Sequence, residues 1–246
     1  MNASTSPSPL SSAARKPELV IGGITPFTTI DFPGRLAAVL YTQGCAWSCR
    51  YCHNAHLRPF LAEGPIRLED ALSFVRSRKG LLDGVVFCGG EPTAQAGLPE
   101  AMRRVKEMGF QTGLHTAGMY PERLRNALVF CDWVGMDVKA PFASYEKITG
   151  KPDGEAARAS LRILLESGVD HEVRATVHEA LLSEAEVLEL AGELSRMGVK
   201  KFVLQVFQPS GCRDAELTAH ASPPEGVAEK VKTRLSCLFS SFAVRR

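Results

Sequence analysis

The chain has 246 residues, 45% of them hydrophobic and 23% charged, with a formal net charge of +2. This balance excludes a disordered or collagen-like chain and speaks against a broad nucleic-acid footprint. No apolar run reaches the roughly 18 residues that a membrane-spanning helix requires.

The first 17 residues are rich in Ser, Pro and Ala and carry no apolar core of the kind found in secretory signals. They read as a disordered tail ahead of a single domain over 18–246. Leu19 to Ile30 has the pattern of a leading strand or ribbon. Six short apolar runs follow, at Leu36–Thr42, Gly84–Cys88, Phe110–His115, Trp133–Val138, His171–Val177 and Lys201–Phe207. Rich in Val and Phe and bounded by Gly or Pro, they have the character of buried parallel strands.

Helical spacing fills the intervals. Leu68, Ala71, Leu72 and Val75 form one apolar stripe, as do Leu98, Met102 and Val105 between Pro99 and Gly109. Further helices are expected from Pro121 through Leu128, around Leu161 to Leu165 before Gly168, and over Val187 to Leu194. That last helix is preceded by a Ser183/Glu186 capping box and ended by Gly198. A final helix is expected over Val227 to Phe239. Repeated strand–helix alternation predicts an α/β fold with a parallel sheet. An incomplete (β/α)6 barrel and a flat doubly wound sheet both satisfy this periodicity, and either gathers its chemistry at the carboxyl ends of the strands.

Seven cysteines are present, and three of them, Cys45, Cys49 and Cys52, fall within eight residues of the loop after the Leu36–Thr42 strand. In a chain without an export signal, expected to be cytoplasmic, this points to metal or redox chemistry and not to a disulfide framework. Three thiolates at this spacing can converge on one metal centre, and thiolate is the ligand that iron–sulfur clusters favour. Other readings stay open: packing on one helix face, a closed zinc site completed by His56, or a fourth thiolate from Cys88, Cys131 or Cys212 in a non-catalytic electron carrier. A four-iron cluster held by three cysteines leaves one iron open to a small chelating ligand.

The Cys45-x3-Cys49-x2-Cys52 spacing resembles the signature of the radical S-adenosylmethionine (SAM) superfamily. The ending Cys52-His53-Asn54 and the upstream Asp31-Phe32-Pro33-Gly34 resemble the activases of glycyl-radical enzymes, and Gly89-Gly90-Glu91-Pro92 is similar to the family's Gly-Gly-Glu-Pro motif. The resemblance spans roughly Ile21 to Pro209 and is strongest to activating proteins of anaerobic ribonucleoside-triphosphate reductase. Activases of pyruvate formate-lyase-like enzymes, or a radical SAM enzyme with another substrate, are the alternatives.

The resemblance implies a [4Fe-4S] cluster on Cys45, Cys49 and Cys52, with SAM chelating the fourth iron. Gly89, Gly90 and Glu91 would receive its amino group, His115 and Thr116 would make polar contacts, and Tyr51 would pack near the adenine. In the Asp-x-Lys strand end, Asp137 would hold a ribose hydroxyl and Lys139 the carboxylate. Arg174, on one strand face with Thr176, would meet the carboxylate or ribose through its planar fork. One-electron cleavage of SAM would yield a 5′-deoxyadenosyl radical that takes an α-hydrogen from a glycine of the partner enzyme. Implied partners are that glycyl-radical enzyme, entering along the barrel's open seam, and a flavodoxin- or ferredoxin-type electron donor; neither nucleic acid nor membrane is expected.

Overall fold

The structure, a computed structural model, describes residues 18–220 and 226–246, so the tail expected over 1–17 lies outside the described residues. Eight strands form one sheet whose spatial order follows the chain. They are β1 (Ile21–Thr28), β2 (Ala37–Thr42), β3 (Gly84–Gly89), β4 (Gln111–Thr116), β5 (Trp133–Asp137), β6 (Asp170–Val177), β7 (Lys201–Val206) and β8 (Ser241–Arg245). β1 runs antiparallel to β2, and every later pair of neighbours is parallel.

The connections hold α1 (Leu68–Ser77), α2 (Leu98–Glu107), α3 (Pro121–Leu128), α4 (Tyr145–Thr149), α5 (Gly154–Ser167), α6 (Glu184–Met197), α7 (Ala215–Ala219) and α8 (Glu229–Leu238). None of the helices in the described residues is long and apolar enough to cross a membrane. The stripes expected of α1 and α2 are the faces they bury. At α6 the Ser183 hydroxyl accepts from the Glu186 amide while the Glu186 carboxylate accepts from the Ser183 amide, and Gly198 closes the helix at φ 97°.

Strand order decides between the two architectures. With right-handed crossovers and no reversal of order, all helices fall on one face of the sheet. A doubly wound sheet must reverse once to cover both faces. The sheet is therefore a partial barrel, and β1 and β8 are not paired with each other among the described residues. The apolar pattern predicts six parallel strands, and β8 adds a seventh. Its five residues, Ser241–Arg245, are at most half-buried, which is why they do not stand out as an apolar run.

One large core lies between sheet and helices. A second, smaller one lies inside the barrel at the amino ends of the strands, built from Phe32, Ala37, Val39, Val86 and Trp133. The Asp31-Phe32-Pro33-Gly34 segment delivers Phe32 into this space, where its ring stacks on Trp133 at 5.9 Å. Glycines make the room: a Cβ on Gly84 would stand 2.9 Å from the Phe32 ring, and one on Gly113 3.4 Å from it. An aromatic plug thus fills the lower barrel, leaving the carboxyl-terminal mouth to polar groups. Phe32→Ala is expected to cost about 3–5 kcal/mol of stability, read as a fall in the urea midpoint, because it empties a buried aromatic position stacked on Trp133.

Candidate active site

The loop after β2 is held in shape by its backbone. Gly44 donates to the Leu57 carbonyl at 2.7 Å, Cys45 to that of Arg58 at 2.9 Å, and Ser48 to that of Thr149 at 2.9 Å. Trp47, fully buried, donates from its indole to Asp153 at 2.7 Å. Arg50 forms ion pairs with Asp214 and Glu216, both at 2.7 Å. Residues 45–52 are not helical, so the cysteines are not a helix face used for packing. Instead Cys45, Cys49 and Cys52 are free thiols lining one cleft of about 340 Å³ at the carboxyl ends of the strands. Burial, reinforced by the charge of Glu91, pushes the Cys45 thiol up to about 12, and burial raises Cys49 as well. Metal binding must therefore displace protons from these sulfurs.

His56 is exposed and does not line the cleft, so it does not complete a zinc set with the three cysteines. Cys131 and Cys212 stay off the cleft as well, whereas Cys88 lines it from β3.

The Gly89-Gly90-Glu91-Pro92 turn lies directly against the cysteine loop. Gly90 donates to the Thr42 carbonyl and Glu91 to that of Gly44, both at 2.9 Å. A Cβ on Gly89, at φ 116°, would stand 2.3 Å from the Thr42 amide nitrogen, and one on Gly90 2.4 Å from the Gly44 oxygen. Both glycines are thus required by backbone-to-backbone approach, beyond any need of a ligand. Glu91 is 1% exposed. Its Oε1 accepts from the Thr93 amide at 3.0 Å, the Thr93 hydroxyl at 2.5 Å and the Thr116 hydroxyl at 2.6 Å. Among the described residues its Oε2 accepts only from the Ala117 amide, at 2.8 Å. A carboxylate has about four acceptor sites, so the spare capacity is on Oε2. Thr116, expected to contact a ligand, also lines the cleft while aiming this carboxylate.

At the end of β5, Asp137 accepts from the Lys139 ammonium at 3.0 Å and from Arg174 Nε at 3.0 Å. Burial alone would raise its carboxyl, but the two cations outweigh burial and hold it well below the usual range. Burial pulls on Lys139 in the opposite sense and is outweighed by Asp137, so the ammonium stays charged, 5.4 Å from the Tyr51 ring centroid. Tyr51, His115, Asp137 and Lys139 all line the cleft. The Tyr51 hydroxyl is buried with no hydrogen-bond partner among the described residues. Burial takes His115 down to about 3, with Arg174 adding to the effect, so the ring is neutral. Its Nε2 donates to the Asp31 carbonyl at 2.8 Å, tying the plug segment to the mouth.

Arg174 corrects the expectation placed on it. It does not line the cleft; its Nε donates to Asp137 and its Nη2, at 3.1 Å, to the Gly135 carbonyl. Sequence reasoning missed Met119, Gln205, Gln208 and Arg245, which do line the cleft. Gln205 and Arg245 pair in register at the ends of β7 and β8. A lone Gln near the end of an apolar strand was a usable signal; β8 offered none.

The description "Radical SAM superfamily" matches residues 39–180. A Methanocaldococcus jannaschii protein described as a glycyl-radical enzyme activating enzyme is 28% identical over 84% of this chain and 87% of its own. The pyruvate formate-lyase-activating enzyme of Clostridium pasteurianum is 32% identical over 50% and 53%. The 7-carboxy-7-deazaguanine synthase of Thermococcus kodakarensis is 28% identical over 75% and 79%. Among solved structures, QueE from Escherichia coli matches with a TM-score of 0.57 at 18% identity over 92% of this chain and 93% of that one. Streptococcus suis SuiB bound to SAM matches with a TM-score of 0.65 at 13% identity, this chain spanning 49% of its length. These structural likenesses bear on the fold.

The family's cofactors are a [4Fe-4S] cluster and SAM, and the residues present fit them. Three unpaired thiols face one cleft, beside a buried tyrosine hydroxyl in need of a partner and a carboxylate oxygen with capacity to spare. With the family description covering more than half of its length and the three cysteines on one cleft wall, the chain belongs to the radical SAM superfamily of enzymes.

Proposed function

We propose that the protein is an activase that forms a glycyl radical on a partner enzyme, anaerobic ribonucleoside-triphosphate reductase being the first choice. The observation that carries this reading is the likeness to the M. jannaschii protein along most of both chains. The resemblance of the Asp31-Phe32-Pro33-Gly34 segment to glycyl-radical activases supports the same reading, and its Asp31 carbonyl holds His115 at the cleft. A pyruvate formate-lyase-like enzyme is the second partner, favoured by the C. pasteurianum relative.

Cys45, Cys49 and Cys52 would hold the cluster, and the other residues of the cleft would bind SAM. When bound, the two cofactors supply reductive one-electron cleavage of a sulfonium, chemistry able to remove a glycine α-hydrogen. The protein's own residues bind and orient. Glu91 presents Oε2 to the amino group, and Lys139 presents its ammonium to the carboxylate. Tyr51 offers its hydroxyl and ring face beside them, and neutral His115 adds a polar edge without adding charge. The aromatic plug beneath keeps water out of the lower barrel. A flavodoxin- or ferredoxin-type protein is the proposed electron source.

Mixing the reduced, reconstituted protein with SAM and the reductase is expected to give a doublet glycyl signal by EPR on the reductase. Its absence with an intact cluster and continuing SAM cleavage would favour a different reading, a radical SAM enzyme acting on a small molecule, to which the T. kodakarensis synthase lends its likeness. Cys49→Ala is expected to lose most of the reconstituted iron, measured by iron assay and absorbance. Lys139→Ala is expected to keep the iron and weaken SAM binding by roughly ten- to a hundredfold, the loss of one charge-assisted contact.

A further inference from the structure

The charges beneath the cleft do not cancel in pairs. Asp137 stands between two cations, with Oδ2 on Lys139 and Oδ1 on Arg174, each at 3.0 Å. The Asp137–Arg174 contact is fixed by the parallel register, which sets these two residues side by side on β5 and β6. Arg174 is 7% exposed and off the cleft, whereas Lys139 and Asp137 line it. Gly135 creates the slot, because a Cβ there would stand 2.6 Å from the guanidinium carbon.

Among the groups packed around this trio, His115 is neutral and the Cys88 thiol is kept protonated by burial. The nearest further carboxylate on β6, Glu172, is taken by Arg245 through two bonds of 2.6 and 2.8 Å. One carboxylate therefore serves two cations, and the trio carries a net charge of about +1 at the floor of the cleft.

We propose that Arg174 is a positioning residue whose task is to supply the counter-charge of Asp137, so that the Lys139 ammonium remains free to bind an anionic group, the carboxylate of SAM. This deepens the reading above and rests on its assignment of Lys139. Without Arg174, Asp137 has Lys139 as its single cation, and the two form a closed neutral pair. A ligand carboxylate would then have to compete with Asp137 for the same ammonium in a poorly solvated site, where such competition is costly. With Arg174 present, the Asp137 charge is divided between two cations, so it competes less strongly with a ligand carboxylate for the ammonium.

The test compares SAM with 5′-methylthioadenosine, which keeps the nucleoside and lacks the amino-acid group. Dissociation constants are measured by equilibrium dialysis on anaerobically reconstituted full-length protein at matched iron content. Arg174→Gln is expected to lower the preference for SAM by about tenfold or more while leaving methylthioadenosine binding within about twofold. Arg174→Lys, which keeps the charge and gives up the bond to Gly135, is expected to retain most of the preference. Asp137→Asn combined with Arg174→Gln returns the trio to its original net charge and is expected to restore the preference, because any contact of Asp137 with the ribose affects both ligands alike.

Equal weakening of both ligands in Arg174→Gln would overturn the proposal, as would loss of preference in Arg174→Lys as complete as in Gln, or no recovery in the double variant. Lys139→Met separates the two levels of the argument. If it abolishes the preference while Arg174→Gln does not, the counter-charge role fails and the assignment of Lys139 stands. If it leaves the preference intact, the assignment of Lys139 fails and the proposal with it.

Discussion

The site depends on two stretches of main chain lying closer together than side chains allow. The turn at Gly89 and Gly90 lies against the backbone of Thr42 and Gly44, joined by two hydrogen bonds of 2.9 Å. Through this contact the end of β3 sets the path of the cysteine loop, and Glu91 is placed where Thr93, Thr116 and Ala117 can saturate most of its carboxylate. Any side chain at either glycine would pry the two apart, moving the thiols relative to the group that faces them. Cluster position and ligand position are therefore set by a single backbone junction.

The barrel divides its interior by chemistry. At the amino ends, Phe32 on Trp133 makes a dry floor, and glycines opposite give the ring its room. Above it, carboxylates and cations alternate: Asp137 with Lys139 and Arg174 at the end of β5, and Glu172, lower on β6, with Arg245. Buried charges of this kind are costly unless paired and hydrogen-bonded, and here each is. The same geometry explains why interior positions of neighbouring strands are so uneven in size, with glycine at 84, 113 and 135 facing an aromatic ring or a guanidinium.

Much of this was legible in the sequence where local rules act. The stripes of α1 and α2 and the Ser183/Glu186 box follow from helix periodicity and capping, which depend on neighbours three or four residues away. The cysteine spacing, the Gly-Gly-Glu-Pro turn and the Asp-x-Lys strand end were visible as motifs, and the structure brings them to one cleft. Depth was not legible. Strand alternation predicts that Arg174 and Asp137 point inward, yet says nothing of the slot opened by Gly135 on the adjacent strand. Nor could it show that Arg174 stops beneath the carboxylate instead of reaching the mouth. α4 and β8 are five residues each, too short for either period to declare itself, and β8 draws its stability from pairing with β7.

The fastenings of the cysteine loop come from far along the chain. Trp47 is secured by Asp153, 106 residues later, and Arg50 by Asp214, 164 residues later. Such distant closures form late, after the intervening strands and helices have assembled. During synthesis the three thiols emerge long before the residues that shape their loop. The receptor shape of the loop is thus completed by residues as distant as Asp214, so the thiols and the contacts that order them belong to different stages of assembly.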